Sequence, residues 1–519
     1  MSYVVGIDKG TTATKAVVFE AATGRVVASA HRATRSLHPR SGWHEEDMDM
    51  TFAGVADCIR AAIANAGLTA GDVIGVGVSG HMGGLWALDR DNRPLGNAIA
   101  WPDARASGLV AEWRSNGVAD EIHAISGNVP IPGVPLALLA WLKAHEPARY
   151  RSIGTLLFAK DYINFRLTGR LATDESDISF FPCDIRTRSY SERLFEIAGI
   201  SEIGYALPEV LPTGSIVGEV TAEAAEMTGL RAGTPVVTGA GDAVSAALGA
   251  GAVRPGQAVT VIGTSFMNNL TTDRPILEPA GVGFLFLMPD GAWQRLMSNT
   301  GGGALCLDWA LRAFDLDRLE QAGDDRSALF ARVEAEAAAV APLSGGVFTH
   351  PYFNTSGMSA PRFVPDARAS IFGFDTATGP AQMVRSVMEG VAFSMVDCYA
   401  ALDSTVDEIR LTGGGARSPL WQKICAAAVN RPLGLLEAEE TGALGVALLA
   451  AVAIGCHRDL PAATAAMVRL SATVEPDPAL AAIYHRAYPL FRDLGQALEP
   501  LWIKRAGLLA QSAKRQDSP

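Results

Sequence analysis

Four short segments of the chain combine glycine with hydroxyl or carboxylate side chains, a combination that can bind phosphate groups. Glycine turns allow backbone N–H groups to converge on phosphate oxygens, and threonine hydroxyls add further donors. A nearby carboxylate can hold Mg²⁺ through water, because this ion keeps much of its hydration and takes only one or two carboxylates. The segments are Asp8 with Gly10-Thr11-Thr12, Gly239-Ala240-Gly241-Asp242, Gly263-Thr264-Ser265 and Gly413-Gly414-Gly415. Together they predict a site for a phosphorylated ligand and a metal ion.

Two common nucleotide-binding motifs do not explain these segments. No lysine in the chain follows a glycine, so a Walker A loop is absent. Gly75, Gly77 and Gly80 match the spacing of a dinucleotide-binding loop, but they lie inside a predicted strand. That loop requires its glycines at the turn between a strand and a helix. Any ATP must therefore be bound without a P-loop.

The first of these segments lies in a run of short predicted strands. Residues 3–8 form an apolar strand that ends in an acid, residues 13–19 form the returning strand, and residues 26–30 form a third strand. A helix is predicted over residues 49–66. The pattern is a β-meander that leads into α/β structure rather than a series of simple βαβ units.

A second segment of similar plan begins near the middle of the chain. Residues 257–262 are predicted as a strand, and residues 266–270 as the strand that returns after the turn at 263–265. A later strand over 408–412 leads into the triple glycine, after which Ser418-Pro419 opens a helix. A boundary near residues 251–256 thus divides the chain into two lobes, with a cleft expected between them.

Composition and charge exclude several classes of protein. The chain has 519 residues, 53 of them glycine, and a net charge of −12. It contains no run of Lys and Arg that could bind a nucleic-acid backbone, so nucleic acid is not an expected partner. The six cysteines are dispersed and never form a Cys-x-x-Cys pair, which favours free thiols in a reducing compartment. The N-terminus does not resemble a signal peptide, and the longest apolar run, 442–456, is too short to span a membrane. We therefore expect a cytoplasmic protein.

The motifs resemble those of a known family. Gly6-Ile7-Asp8-x-Gly10-Thr11-Thr12 with Lys15 resembles the opening of the FGGY carbohydrate kinases, which are part of the actin/Hsp70/sugar-kinase superfamily. Further matches follow in the family's order and extend over about residues 3 to 455, with xylulose kinases the most similar members. They lie at 160–177, 239–242, 263–265, 359–368, 388–393 and 412–421.

The resemblance implies an α/β fold of two ribonuclease H-like (actin-like ATPase) lobes with an interlobe cleft. Residues 1–252 would form the N-terminal FGGY lobe, which binds the sugar and carries the catalytic base. Residues 253–505 would form the C-terminal FGGY lobe, which binds the nucleotide. Residues 506–519 are expected to form a disordered tail.

The resemblance also implies ATP-dependent phosphorylation of a sugar or polyol. Asp242 matches the family's catalytic base, which accepts the proton of the attacking hydroxyl. Asp8 would position Mg²⁺, with Asp242 as its second carboxylate. The residues expected to contact the nucleotide are Thr11, Thr12, Lys15, Gly263, Thr264, Ser265, Gly413, Gly414, Gly415 and Arg417.

The residues expected to bind the substrate depart from the xylulose kinase pattern. Those enzymes typically have Gln-Met-His-Gly where this chain has His81-Met82-Gly83-Gly84, and a polar residue where Ala243 follows the base. His81 could replace part of the missing histidine, or it could be a packed histidine. Asp103 could contact the sugar or form a structural ion pair with Arg105. The expected substrate contacts are His81, Met82, Trp101, Asp103 and Asp242.

The primary hypothesis is a kinase for a five-carbon ketose such as xylulose. A polyol or sugar acid of the erythritol, glycerol or gluconate type is the alternative substrate. Two other functions remain open: a non-catalytic sensor that binds sugar and nucleotide, and an ATPase similar to actin or Hsp70. The presence of both Asp8 and Asp242 argues against the sensor, because a binding module needs no base. The oligomeric state is left open, with a homodimer among the alternatives.

Overall fold

The N-terminal half of the chain is built on a mixed sheet. The computed structural model describes residues 1–180, 182–314 and 326–516, and describes side chains for 1–180, 182–314 and 328–510. The strands of this half are β1 (Tyr3–Lys9), β2 (Ala13–Glu20), β3 (Val26–Ala33), β4 (Ser36–Leu37), β5 (Glu45–Glu46), β6 (Val73–Gly80), β7 (Trp86–Leu88), β8 (Ala98–Ile99), β9 (Thr155–Leu157), β10 (Ala172–Asp174), β11 (Cys183–Asp184), β12 (Ser189–Tyr190), β13 (Glu209–Leu211), β14 (Ile216–Glu219) and β15 (Pro235–Gly241). Its helices are α1 (Met48–Asn65), α2 (Ser107–Ser115), α3 (Val118–Ser126), α4 (Pro135–His145), α5 (Pro147–Arg151), α6 (Ala159–Thr168), α7 (Glu175–Ile178), α8 (Glu192–Ile197), α9 (Ala222–Thr228) and α10 (Asp242–Gly249).

The C-terminal half is built on a second large sheet with longer helices. Its strands are β16 (Gln257–Ile262), β17 (Phe266–Thr272), β18 (Phe284–Leu287), β19 (Trp293–Asn299), β20 (Phe348–His350), β21 (Ser370–Phe372), β22 (Glu408–Thr412), β23 (Leu433–Leu436) and β24 (Leu470–Val474). Its helices are α11 (Ala304–Ala313), α12 (Arg326–Ala338), α13 (Pro380–Ala400), α14 (Pro419–Val429), α15 (Thr441–Ala453), α16 (Leu460–Met467) and α17 (Pro478–Gln516).

The two large sheets share a core of six strands with one topology, to which the second sheet adds β18. The first has the strand order β14-β15-β6-β1-β2-β3, and the second has the order β18-β19-β17-β16-β22-β23-β24. In the first, β1 is parallel to β6 and antiparallel to β2. In the second, β16 is parallel to β22 and antiparallel to β17. The predicted α/β fold of two lobes with similar plan is therefore confirmed.

Strand pairing brings the predicted site segments together at one end of each sheet, where neighbouring parallel strands terminate. In the first sheet Asp8 pairs with Ser79, so the ends of β1 and β6 lie side by side. Gly241 at the end of β15 pairs with Gly80 of β6. In the second sheet Val261 pairs with Thr412, so the turn after β16 and the loop after β22 are neighbours. Parallel pairing therefore places the segments of each half next to each other.

Helix α15 belongs to the C-terminal half of the chain but packs on the first sheet and on α10. A Cβ atom on Gly6 of β1 would lie 2.1 Å from Ala443 O, and one on Gly77 of β6 would lie 2.3 Å from Val446 O. A Cβ atom on Gly445 would lie 1.9 Å from Ser245 O in α10. These close approaches explain why glycine is required at several positions that do not belong to a turn. The apolar run 442–456 is thus mostly a buried helix.

The β18–β19 hairpin also crosses between the halves. Asn128 accepts a hydrogen bond from Leu285 N and donates one to Leu285 O, both at 2.8 Å. Ser179 Oγ accepts a hydrogen bond from Leu287 N at 2.8 Å. Side chains of the N-terminal half thus satisfy backbone groups of β18, which is an edge strand. The lobe boundary between residues 252 and 253 stays a prediction, because elements from the two sides of this boundary contact each other closely.

The C-terminal segment differs from the expectation. Disorder was expected over 506–519, but α17 extends to Gln516. The remaining residues, 517–519, lie outside the described part of the chain. Trp502 is buried on this helix, and its Nε1 donates a hydrogen bond to Ser370 Oγ of β21 at 3.2 Å, which joins this part of the helix to that strand.

Two further features of the described chain concern its cysteines and its helices. All six cysteines are free, and only Cys456 is exposed. No helix in the described ranges is long and apolar enough to cross a bilayer.

Candidate active site

Asp8 lies at the carboxyl-terminal end of β1, against the first turn of α15. A Cβ atom on Gly442 would be 2.8 Å from Asp8 Oδ2, so a side chain at this position would displace the carboxylate. Burial raises the pKa of Asp8, while the positive charge of Lys15 acts in the opposite direction. The N-terminus of a helix favours a negative charge, so α15 supports the ionised form of this residue.

Asp242 is the first residue of α10, directly after β15. Its Oδ1 accepts a hydrogen bond from Ala243 N at 2.8 Å. Burial, followed by the negative charge of Asp8, raises the pKa of Asp242 to about 7. A carboxylate with this pKa can accept a proton near neutral pH, which is the property required of a general base.

The backbone before Asp242 is shaped by two glycines. Gly239 has φ +71°, and a Cβ atom there would lie 1.7 Å from Val78 O. A Cβ atom on Gly241 would lie 2.4 Å from the Cγ atom of Met82. The sequence predicted these glycines as phosphate contacts, but in the structure both have a steric reason to be glycine.

His81 is not positioned to bind a substrate, contrary to the expectation. Its side chain is only 1% exposed, and Nε2 lies 3.3 Å from Glu46 Oε1. The other Glu46 oxygen pairs with Lys9 Nζ at 2.9 Å. Burial lowers the pKa of His81, which favours the neutral imidazole. The structure places His81 as a packed histidine. Sequence analysis missed Lys9 and Glu46, although a lysine within an apolar strand was a visible signal.

Met82 and Gly83, which follow His81, lie close to Asp242 and Trp101. Met82 is 7% exposed, and its backbone N–H interacts with Asp242 and lowers the pKa of that carboxyl. Gly83, which stands where xylulose kinases typically have histidine, has φ +82°. A Cβ atom there would lie 3.2 Å from the Cβ atom of Trp101. A histidine at position 83 would therefore be strained in this backbone.

Trp101 and Asp103 have different environments. Trp101 is 41% exposed, and its Nε1 donates a hydrogen bond to Thr11 Oγ1 at 2.8 Å, so it remains available as an apolar wall. Asp103 is 1% exposed, and its Oδ2 accepts a hydrogen bond from His44 N at 2.7 Å. Arg105 Nε pairs with Asp103 Oδ1 at 2.8 Å. Asp103 is thus a structural ion pair partner, and the expected sugar contact is not supported.

The turn between β1 and β2 carries the N-terminal candidates for phosphate binding. Gly10 N donates a hydrogen bond to Ala13 O at 3.0 Å and closes this turn. Thr11 is half-buried, whereas Thr12 is exposed. Lys15 Nζ lies 2.8 Å from both carboxylate oxygens of Glu440. This lysine therefore forms an ion pair with the segment that precedes α15.

Three glycine-containing loops meet in the C-terminal half. The turn at 263–265 contacts the loop at 301–303, because Ala304 N donates a hydrogen bond to Gly263 O at 2.7 Å. Gly413 has φ +93°, and a Cβ atom there would lie 2.7 Å from Ile262 O. Thr264 and Gly414 are exposed at these loops. Sequence analysis did not single out residues 301–303, although a triple glycine before a helix is the same signal as at 413–415.

The segment 439–442 joins the two sets of loops. Glu439 pairs with Arg417, which follows the triple glycine. Glu440 pairs with Lys15, and Gly442 contacts Asp8. Sequence analysis missed this segment, because only the packing of α15 brings it between the lobes.

Comparison with known proteins identifies the family. The profile of the FGGY family of carbohydrate kinases, N-terminal domain, matches residues 3–249, and the C-terminal domain profile matches residues 258–454. The chain belongs to the FGGY family of carbohydrate kinases. The FGGY kinase is therefore a phosphotransferase that acts on an alcohol group, and kinases of this family use ATP as the phosphate donor.

The FGGY kinase resembles relatives with different substrates. It is 31% identical to the erythritol kinase of Brucella abortus, over 97% of this chain and 98% of the relative. It is 30% identical to the probable L-xylulose kinase of Pasteurella multocida, over 96% of this chain and 100% of the relative. Among solved structures, the xylulose kinase from Rhodospirillum rubrum superposes with a TM-score of 0.86 at 29% identity and covers 96% of this chain and 99% of its own.

Proposed function

We propose that the FGGY kinase phosphorylates a hydroxyl of a small sugar, a five-carbon ketose such as xylulose, with Asp242 as the general base. The observation that carries this proposal is the Asp242 carboxylate at the start of α10, whose pKa is raised to about 7 by burial and by Asp8. A base of this strength suits proton transfer at neutral pH. A protein that only binds sugar and nucleotide would not need it.

In the proposed reaction the acceptor hydroxyl attacks the γ-phosphorus of ATP. The bond between this phosphorus and the β–γ bridging oxygen breaks, the proton of the hydroxyl passes to Asp242, and ADP leaves. Thr11 and Thr12 from one lobe and the turn at 263–265 from the other would donate hydrogen bonds to the phosphates. Closure of the lobes would exclude water and so limit hydrolysis of ATP.

The residues also fit a magnesium ion. Burial raises the pKa of both Asp8 and Asp242, the negative charge of Glu440 adds to the effect on Asp8 and that of Asp8 to the effect on Asp242, and a cation beside the two carboxylates would favour their ionised forms. The described residues contain no group of three or more His, Cys, Asp or Glu side chains suited to a metal. Water and phosphate oxygens would thus supply most of its ligands, as is usual for Mg²⁺. When bound, the ion neutralises charge on the transferred phosphoryl group.

The pH dependence should follow Asp242. We expect kcat/KM to rise as pH increases through about 7 and to level off above it, because the carboxylate must be deprotonated to accept a proton. The measurement is a pH–rate profile with ATP held at saturation, with circular dichroism at each pH as the control for folding. A profile that is flat between pH 6 and 8 would contradict the assignment.

A second candidate substrate is a linear polyol such as erythritol. Gly83 offers no side chain where xylulose kinases typically have a histidine, and Ala243 cannot donate a side-chain hydrogen bond. The Brucella abortus relative is an erythritol kinase. Specificity for a substrate group depends on the hydrogen bonds that the site offers to it. A site with fewer side-chain donors at positions 83 and 243 would therefore favour a ketose over a polyol less strongly.

A substrate panel tests the proposal. We expect ADP release to be stimulated most by D-xylulose or L-xylulose and less by erythritol, glycerol and gluconate, measured with a coupled ADP assay. A preference for erythritol would replace the ketose by the polyol. Stimulation by none of them would contradict the substrate class, and high ATP hydrolysis without any acceptor would favour an ATPase.

A further inference from the structure

A side chain from α7 holds the backbone directly before Asp242. The pairing of β15 with β6 shifts register between Val237 and Ala240, so the ordinary ladder is interrupted in this part of the strand. Gly241 N donates a hydrogen bond to Ser176 Oγ at 2.9 Å. The serine hydroxyl thus satisfies the amide next to the proposed base.

The Ser176 hydroxyl is itself fixed by Asp174. Ser176 Oγ donates a hydrogen bond to Asp174 Oδ2 at 2.7 Å, and Thr213 Oγ1 donates to the same oxygen at 2.6 Å. Both Ser176 and Asp174 have exposures of 0%. Because a hydroxyl has one hydrogen, its donation to Asp174 leaves only lone pairs facing Gly241. The orientation of the hydroxyl is therefore determined.

Asp174 is anchored by a buried lysine. Lys160 Nζ lies 2.7 Å from Asp174 Oδ1, 2.5 Å from Asp161 Oδ1 and 3.0 Å from Asp177 Oδ2. All four side chains are no more than 1% exposed. Lys160 supplies the positive charge that these buried carboxylates share, and its loss would leave them in the interior without a counterion. A continuous set of polar contacts thus leads from Lys160 through Asp174 and Ser176 to Gly241.

We propose that Ser176 is a positioning residue that orients the Asp242 carboxylate towards the acceptor hydroxyl by holding Gly241 N–H. The proposal rests on the function proposed above for Asp242. A displacement of about 1 Å can reduce turnover by about 10²-fold. Ser176→Ala removes the acceptor of the Gly241 amide and leaves the phosphate-binding turns intact.

We expect Ser176→Ala to lower kcat by about 10- to 100-fold and to leave the KM for ATP and ATP hydrolysis without sugar nearly unchanged. The acceptors assayed are D-xylulose, L-xylulose and erythritol. Hydrogen–deuterium exchange at the Gly241 amide should become faster, a readout that does not depend on turnover. Ser176→Cys keeps the shape of the side chain, with a larger atom in place of oxygen, and offers a weak acceptor, so its kcat should be intermediate.

Ser179→Ala is the matched control. Its hydroxyl is also buried, follows the same helix and accepts a backbone N–H at 2.8 Å, but from Leu287 of β18. Ser176→Ala and Ser179→Ala should lower the thermal midpoint by similar amounts, whereas only Ser176→Ala should lower kcat and speed exchange at Gly241.

Two outcomes overturn the inference: unchanged exchange at the Gly241 amide in Ser176→Ala, or a kcat equal to that of Ser179→Ala. Asp242→Asn, assayed in parallel, separates this failure from that of the proposed function. If Asp242→Asn stays active, the base assignment is wrong, while exchange at Gly241 still reports the hydrogen bond. If Asp242→Asn is inactive and Ser176→Ala behaves like Ser179→Ala, the base assignment stands and only the positioning role of Ser176 fails.

Discussion

Replacement of Asp242 by asparagine should lower kcat by about 10²–10⁴-fold, because the amide cannot accept the proton of the attacking hydroxyl. Binding of ATP should be nearly unchanged, since Asp8 keeps its carboxylate for the magnesium ion and the amide at position 242 adds no bulk. The measurements are kcat from ADP release and the dissociation constant of ATP from calorimetry. Asp403→Asn, at a carboxylate that is 92% exposed, is the control and should leave kcat unchanged. Retained turnover in Asp242→Asn would remove this residue from the role of base.

The same substitution should stabilise the protein above neutral pH. The pKa of Asp242 is raised from 3.8 to about 7 in the folded protein. The wild type therefore loses stability as pH rises from about 4 to about 7, because folding then opposes ionisation. We expect thermal midpoints of the two proteins to converge near pH 4 and that of Asp242→Asn to be higher near pH 8. An inactive variant with this pH dependence would be folded, which separates loss of the base from loss of structure.

Gly445→Ala should destabilise the protein although alanine is the better helix former. A Cβ atom at this position in α15 would lie 1.9 Å from Ser245 O of α10, so the two helices must move apart. We expect the free energy of unfolding to fall by about 3 kcal/mol, the upper range for an overpacked core. Denaturant unfolding followed by circular dichroism measures this change.

Gly507→Ala, also a substitution of a helical glycine, should stabilise the protein. Gly507 lies in α17, and no atom would approach a Cβ there within 4 Å. Helix propensity alone should then raise the free energy of unfolding by up to about 1 kcal/mol. If both substitutions stabilise the protein, the close contact between α15 and α10 would not be present in solution.

Local patterns predicted much of the sheet structure. The strands expected over 257–262 and 408–412 match β16 and β22, and the helix expected over 49–66 matches α1 within one residue at each end. Ser418 accepts a hydrogen bond from Trp421 N, as predicted for a helix N-cap. These features are determined by residues that are close in the chain, through apolar runs, turn residues and helix caps, so they can be predicted from the sequence.

The roles of individual side chains were predicted less well than the secondary structure. His81 and Asp103 were both expected near the substrate, yet both are buried: His81 Nε2 lies 3.3 Å from Glu46 Oε1, and Asp103 forms an ion pair with Arg105. Glu46 lies in strand β5, far from His81 in the chain, whereas Arg105 lies two residues after Asp103 and was the partner expected in the ion-pair alternative. Burial decides between a ligand and a structural ion pair, and burial depends on the whole fold.

The sequence by itself determined the family, the order of the candidate phosphate-binding turns and the identity of the candidate base. These follow from short motifs whose residues are adjacent in the chain. Only the tertiary structure showed that α15 lies between the lobes and places Gly442 against Asp8. It also showed that Lys160, Asp174 and Ser176 support the backbone before Asp242. Such contacts join residues distant in sequence, so their formation depends on how sheets and helices pack.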